Sequence, residues 1–114
     1  IKVKKILLLL ISFSEKNPGL ARLLTREAFS VEESMLDERI ILLFSKIELQ
    51  IKQNLQKYEQ ETKKKLSLST ATSANLLLAT AEGLIQQFVR SGFETTPPSR
   101  ASDQIELLLS ALSN

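Results

Sequence analysis

The chain has 114 residues, enough for one domain with a real core, and a fold of this size buries somewhat under ~70% of the surface its unfolded chain exposes. With no Cys and no His it has neither disulfides nor thiolate or imidazole metal ligands, and the commonest general base is missing, so hydrolase or zinc chemistry is not expected. A net charge of +2 from 15 basic and 13 acidic side chains is close to balance, and this stretch alone makes a poor nucleic-acid binder.

Leu, Ile, Ala, Lys, Glu, Gln and Ser dominate against three Gly and three Pro, a composition that favours helix throughout. The first helix spans residues 2–16. Lys2, Lys4 and Lys5 followed by Ile6–Ile11 resemble the charged and apolar parts of a signal peptide, but the run is short and no small-x-small site precedes Glu15, so a buried helix is expected. Val3, Ile6, Leu7, Leu10 and Phe13 repeat at three and four and form its core face. Leu8, Leu9 and Ile11 carry apolar surface further around, which implies a central helix or cover from a second side.

Asn17, Pro18 and Gly19 end this helix and start another, with Asn17 as N-cap and Pro18 in the first turn. Leu20, Leu23, Leu24 and Ala28 face inward on the second helix, which ends near Phe29. Ser30 followed by Glu33 has the capping-box pattern for a third start. The stripe Leu36, Ile40, Leu43, Phe44, Ile47, Ile51, Leu55 and Tyr58 then runs to about residue 62. At ~1.5 Å per residue such a helix reaches ~45 Å, longer than a round domain of this size is wide, so an elongated bundle or a partner chain must cover its ends.

Lys63–Lys65 and the Ser/Thr-rich stretch to Ser73 form a solvated connector, its charges suited to a helix end. The fourth helix runs from about Thr70 to Ser91 and closes at Gly92, where a left-handed cap is wanted. Leu77, Ala81, Leu84 and Phe88 make one stripe and Leu78, Ile85 and Val89 a second, so it needs two neighbours. Gly83 in its middle is unfavourable by ~1 kcal/mol relative to Ala and marks a close helix contact. Glu94–Pro98 break the chain, and the last helix takes Ser99 or Ser102 as its cap, with Ile105, Leu108, Leu109 and Leu112 on one face and Leu107 and Ala111 on another. No segment is long and apolar enough to cross a membrane.

The fold class is therefore all-α, a five-helix bundle occupying residues 1–114 as one domain. Apolar residues on more than one face of the last two helices suggest an isologous homodimer through Leu84, Phe88, Ile105, Leu108, Leu109 and Leu112. The alternative is that these residues only cover the long third helix. No catalytic, cofactor or metal constellation appears. Glu32, Glu33, Asp37 and Glu38 gather near a helix start, where carboxylates suit the dipole. Glu82, set in an apolar helix, is either a buried hydrogen-bonded carboxylate or a solvent-facing one between two stripes.

Three ordered blocks carry a family resemblance: LLLLISFSEKNPGLARLLT from Leu7 to Thr25, ERIILLFSKIELQ from Glu38 to Gln50, and AEGLIQQFVRSGF from Ala81 to Phe93. They resemble the C-terminal domain of the SlmA family of nucleoid occlusion factors, which are TetR-type proteins. The resemblance implies a binding protein rather than an enzyme, with a helix-turn-helix domain ahead of Ile1 that would carry all specific DNA binding. A chain that begins at Ile1 rather than Met fits a fragment of that longer protein. It also implies a cytoplasmic, nucleoid-associated homodimer that antagonises assembly of the division protein FtsZ by binding the FtsZ C-terminal tail. By position the tail-binding residues fall on Leu9, Ser12, Lys16 and Asn17. Two of these depart from the family pattern, which has Gly at the position of Ser12 and Arg at that of Lys16; the changes hinder close backbone approach and remove bidentate carboxylate pairing. A TetR-type repressor with a small-molecule inducer pocket is the competing expectation, and a cavity lined by the first, third and fourth helices would mark it.

Overall fold

The computed structural model describes residues 2–24, 33–94 and 97–114; the side chains at 20, 23, 24, 33–37 and 97–99 are outside that description. All regular structure among these residues is helical: α1 (Lys2–Lys16), α2 (Pro18–Leu24), α3 (Glu33–Thr62), α4 (Thr70–Arg90) and α5 (Pro97–Leu112). The inward face expected for α2, its end near Phe29, the Ser30 capping box and Leu36 fall outside the described residues.

Helix α4 is the hub, packing against α1, α2, α3 and α5, while α1 also lies along α5. Both of its apolar stripes are buried, Leu77, Ala81, Leu84 and Phe88 on one side and Leu78, Ile85 and Val89 on the other. The neighbours that two stripes require are thus supplied within the chain. Gly83 is different, because a Cβ built there meets nothing within 4 Å. Among the described residues no helix makes the close approach expected at that glycine.

The ends of α4 are fixed by local chemistry. Ser69 accepts a hydrogen bond from the Thr72 amide at 3.1 Å as N-cap. At the other end Gly92 takes φ +73°, its amide donates to the Val89 carbonyl at 3.0 Å, and the Phe93 amide donates to the Phe88 carbonyl at 2.9 Å. This pair of bonds is a Schellman motif, and the apolar contact that accompanies one is present as edge-on packing of the Phe88 and Phe93 rings, 5.2 Å between centres. The Arg22 guanidinium of α2 lies 5.0 Å from the centre of the Phe93 ring, so the same cap holds α2 in place.

In α1 the buried residues are Val3, Leu7, Ile11 and Ser14, with Ile6, Leu8 and Leu10 packed against them. The core face is therefore turned relative to the expected stripe. Ile11 is fully buried and Phe13, expected inside, is exposed. Burial of Ser14 is tolerated because its Oγ donates to the Leu10 carbonyl at 2.9 Å.

Helix α3 extends over ~45 Å at ~1.5 Å per residue, and the longest dimension of the chain is 48 Å. Ile51 and Leu55 anchor it in the core and Ile40, Phe44 and Ile47 are half-buried. Leu43 and Tyr58 of the expected stripe are exposed, as are Ile41, Leu42 and Leu49. The described helices thus leave parts of the stripe uncovered.

After α3, Lys63 adopts φ +57° and the chain turns back. The connector is anchored to both α3 and α5. The Leu66 amide donates to Glu59 Oε2 at 2.8 Å, and Ser67 donates from its amide to the Leu112 carbonyl at 2.8 Å and from its Oγ to the Ala111 carbonyl at 3.1 Å. Ser67 thereby satisfies carbonyls at the end of α5 that have no partner within the helix. At the start of α5 the expected cap at Ser99 or Ser102 is displaced, because the helix already begins at Pro97. Pro97 and Pro98 in its first turn lack only amides that would have had no helical acceptor.

Candidate functional site

The surface that the sequence singles out is the outer side of α1. At 3.6 residues per turn, Lys2, Lys5, Leu9, Ser12, Phe13 and Lys16 lie opposite Val3, Leu7, Ile11 and Ser14. Five of the six are exposed and Ser12 is half-buried. Leu9 is 61% exposed and Phe13 58%, large values for apolar side chains on a helix whose other face is sealed. Lys2, Lys5 and Lys16 make no ion pair among the described residues, whereas Lys4, at the edge of the buried face, pairs with Glu106 of α5. The result is an apolar centre flanked by ammonium groups that have no ion-pair partner among the described residues.

Asn17 sits at the corner where α1 gives way to α2. Its carbonyl accepts the Ala21 amide at 3.0 Å, the first bond of α2, while its side-chain Nδ2 donates back to the Phe13 carbonyl at 2.8 Å. The side chain thus closes α1, whereas an N-cap side chain on α2 was expected. Asn17 is exposed, and its Oδ1 has no donor among the described residues. Leu9, Ser12, Lys16 and Asn17 therefore occupy one continuous outer surface running down α1 into the corner. Phe13 and Lys5 belong to that surface too. The signal for them was available in the helical phase: once Ile11 points inward, Phe13 two residues on points out.

The six positions expected to pair across a dimer are placed differently. Leu84, Phe88, Ile105 and Leu112 are buried in the core of the single chain, and Leu108 and Leu109 are half-buried against it. The exposed apolar side chain of α5 is Leu107, at 70%.

Two grooves open at the surface. One, of about 630 Å³, runs between α3 and α4 and is bordered by Ile40, Phe44, Glu48, Leu78, Glu82 and Ile85. Asn75 Nδ2 donates to Glu48 Oε1 at 3.3 Å across it. Partial burial first, and the Glu48 carboxylate second, push the pKa of Glu82 above the usual carboxylate range. The other, of about 670 Å³, lies between the start of α1, the end of α3 and the end of α5. Neither is lined by α1, α3 and α4 together. Among the described residues no three acidic side chains converge as a metal site would need, and no helix is long and apolar enough to cross a membrane.

Residues 1–113 match a SlmA-like family described as the tetracycline repressor-like C-terminal domain. Curated relatives named nucleoid occlusion factor SlmA include that of Shewanella pealeana, 44% identical over 103 residues, which covers 90% of this chain and 52% of the relative. Those of Shewanella sediminis and Shewanella oneidensis are 46% identical over 99 residues, covering 87% of this chain and 50% of each relative. The chain spans about half the length of the curated relatives it matches. With the match running from residue 1 to residue 113, the chain belongs to the SlmA-like family of tetracycline repressor-like C-terminal domains.

Proposed function

We propose that this chain is the partner-binding and dimerising part of a nucleoid occlusion factor, a non-enzymatic regulator that antagonises FtsZ assembly over the nucleoid. The observation that carries the reading is the outer surface of α1, where Leu9 stands exposed between Lys5 and Lys16 and leads into Asn17. An apolar anchor flanked by cations is what a short acidic-apolar peptide needs, and a division-protein tail is such a peptide partner in this reading. Lys16 supplies a point charge where the family pattern has a bidentate Arg, and half-buried Ser12 holds a hydroxyl where the pattern has a bare backbone. DNA contact would come from a domain outside this chain, and the working location would be the cytoplasm at the nucleoid.

A homodimer is part of the same reading, with a smaller set of contacts than periodicity suggested. Leu84, Phe88, Ile105 and Leu112 are committed to the core of one chain, so a two-fold contact of α4 and α5 would rest on Leu107, on half-buried Leu108 and Leu109, and on the open flank of α4 at Gly83. The inducer-pocket alternative has less support, since the two grooves described are open to the surface and neither is lined by α1, α3 and α4 together.

The test is a titration of the FtsZ C-terminal tail peptide against the chain, with Leu9→Arg as the control. Binding by the parent, weakened at least ~30-fold by the variant, is expected for loss of a central anchor. Absence of binding by the parent, together with saturable uptake of a small molecule, would overturn the reading.

A further inference from the structure

We infer that the partner surface of α1 is larger than the four positions carried by family resemblance: Phe13 is a second apolar anchor and Lys5 a second cationic clamp, so the surface fits an acidic peptide bearing two neighbouring apolar side chains. The inference rests on the reading of α1 as the partner-binding helix.

Three observations carry it. First, Phe13 is a full turn beyond Leu9, and the two are the exposed large apolar residues of α1. Their separation along the axis is ~6 Å, which matches alternate residues of an extended strand or residues one turn apart in a helix. Second, the ends of this apolar pair are marked by Lys5 and Lys16, ~16 Å apart along the axis, and neither makes an ion pair among the described residues. The surface therefore presents a cationic side chain at each end of an apolar strip, and its complement is carboxylates bracketing two apolar side chains. Third, the Phe13 carbonyl accepts the Asn17 side chain at 2.8 Å, which closes the last turn of α1, the turn from which the exposed Phe13 side chain projects. Such an aromatic side chain loses little entropy on binding and buries a large area, the usual profile of a dominant contact residue.

Phe13→Ala, Phe13→Leu, Lys5→Gln and Leu9→Arg are titrated with a fluorescently labelled FtsZ C-terminal tail peptide at two salt concentrations, with thermal melts and sedimentation velocity on each variant. Phe13→Ala is expected to weaken binding about 10-fold, Phe13→Leu to restore most of it, and Lys5→Gln to lower affinity and flatten the salt dependence, all with unchanged melting. A peptide with its carboxylates changed to amides should lose the salt dependence altogether. If Leu9→Arg abolishes binding while Phe13→Ala and Lys5→Gln bind like the parent, the enlarged surface is overturned and the partner-binding role of α1 stands. If the parent does not bind, both fall together, and Leu9→Arg has no binding to remove. If Phe13→Ala changes the sedimentation of the chain and leaves the peptide affinity intact, the strip belongs to a second copy and the inference is overturned.

Discussion

Two neighbouring leucines in α1 should respond to substitution in opposite ways. Leu7 is fully buried between α1 and the helices it packs on, and Leu9 points out. Leu7→Ala removes three carbons from a closed site and leaves a cavity, at a cost of about 2–5 kcal/mol. With an unfolding entropy of ~2.1 cal/mol/K per residue, 114 residues give ~0.24 kcal/mol/K, so the midpoint should fall by about 8–20 °C. Leu9→Arg exchanges one solvated side chain for another and should stay within ~0.5 kcal/mol of the parent, a shift of about 2 °C. The assay is thermal unfolding by circular dichroism at one fixed chain concentration, since the proposed dimerisation would make the midpoint depend on concentration. A fall of 8 °C or more in Leu9→Arg would show that Leu9 belongs to the core, and both the helical phase of α1 and the partner surface built on it would be wrong.

Gly92→Ala should destabilise by about 1–2 kcal/mol, because the residue keeps φ +73° while the added Cβ meets open space, and a denaturant melt should show this without a change in slope. Glu82→Gln should stabilise the fold at neutral pH. The raised pKa means that the folded chain holds a proton the unfolded chain has lost, so stability falls as pH rises from the usual carboxylate value through the raised one. The gain from Glu82→Gln should therefore be fully present above that window and vanish below it, and a pH series of melts reads it directly. Leu107→Glu should leave the melt of the single chain nearly unchanged and shift sedimentation toward the monomer; an unchanged assembly would exclude α5 from the two-fold contact.

How far the sequence could be read varied with the kind of signal. The limits of α1, the long α3 and the glycine cap of α4 were legible because each is set by local chemistry: a periodic run, a start or stop residue, a position that demands positive φ. The phase of α1 was not, because Ile6–Ile11 is apolar all around and nothing in periodicity says which side meets the core. Ser14 settles it, since its hydroxyl can be buried by bonding back to Leu10. Pro97 and Pro98 read as a break, yet proline ends one helix and begins the next with equal ease. The proposed dimer residues suffered from the same ambiguity of apolar stripes: Leu84, Phe88, Ile105 and Leu112 need burial, and periodicity does not tell whether the burying surface comes from the same chain. Of the partner surface, Leu9, Ser12, Lys16 and Asn17 came from resemblance, whereas Phe13 and Lys5 became visible only once the outward side of α1 was known.

The packing of α1 along α5, joined by the Lys4–Glu106 pair across 102 residues, ties the order of synthesis to the order of assembly. As the polypeptide emerges, α1 is complete before the helices that pack on it, and the side of it that lies along α5 stays solvated until α5 is made, even after α4 has docked. Contacts this distant along the chain slow folding, because the intervening loop must be closed before they form. Nascent chains halted before Ile105 should accordingly be held by chaperones, and the proposed partner surface on α1 would be set on a completed bundle only when translation of α5 is finished.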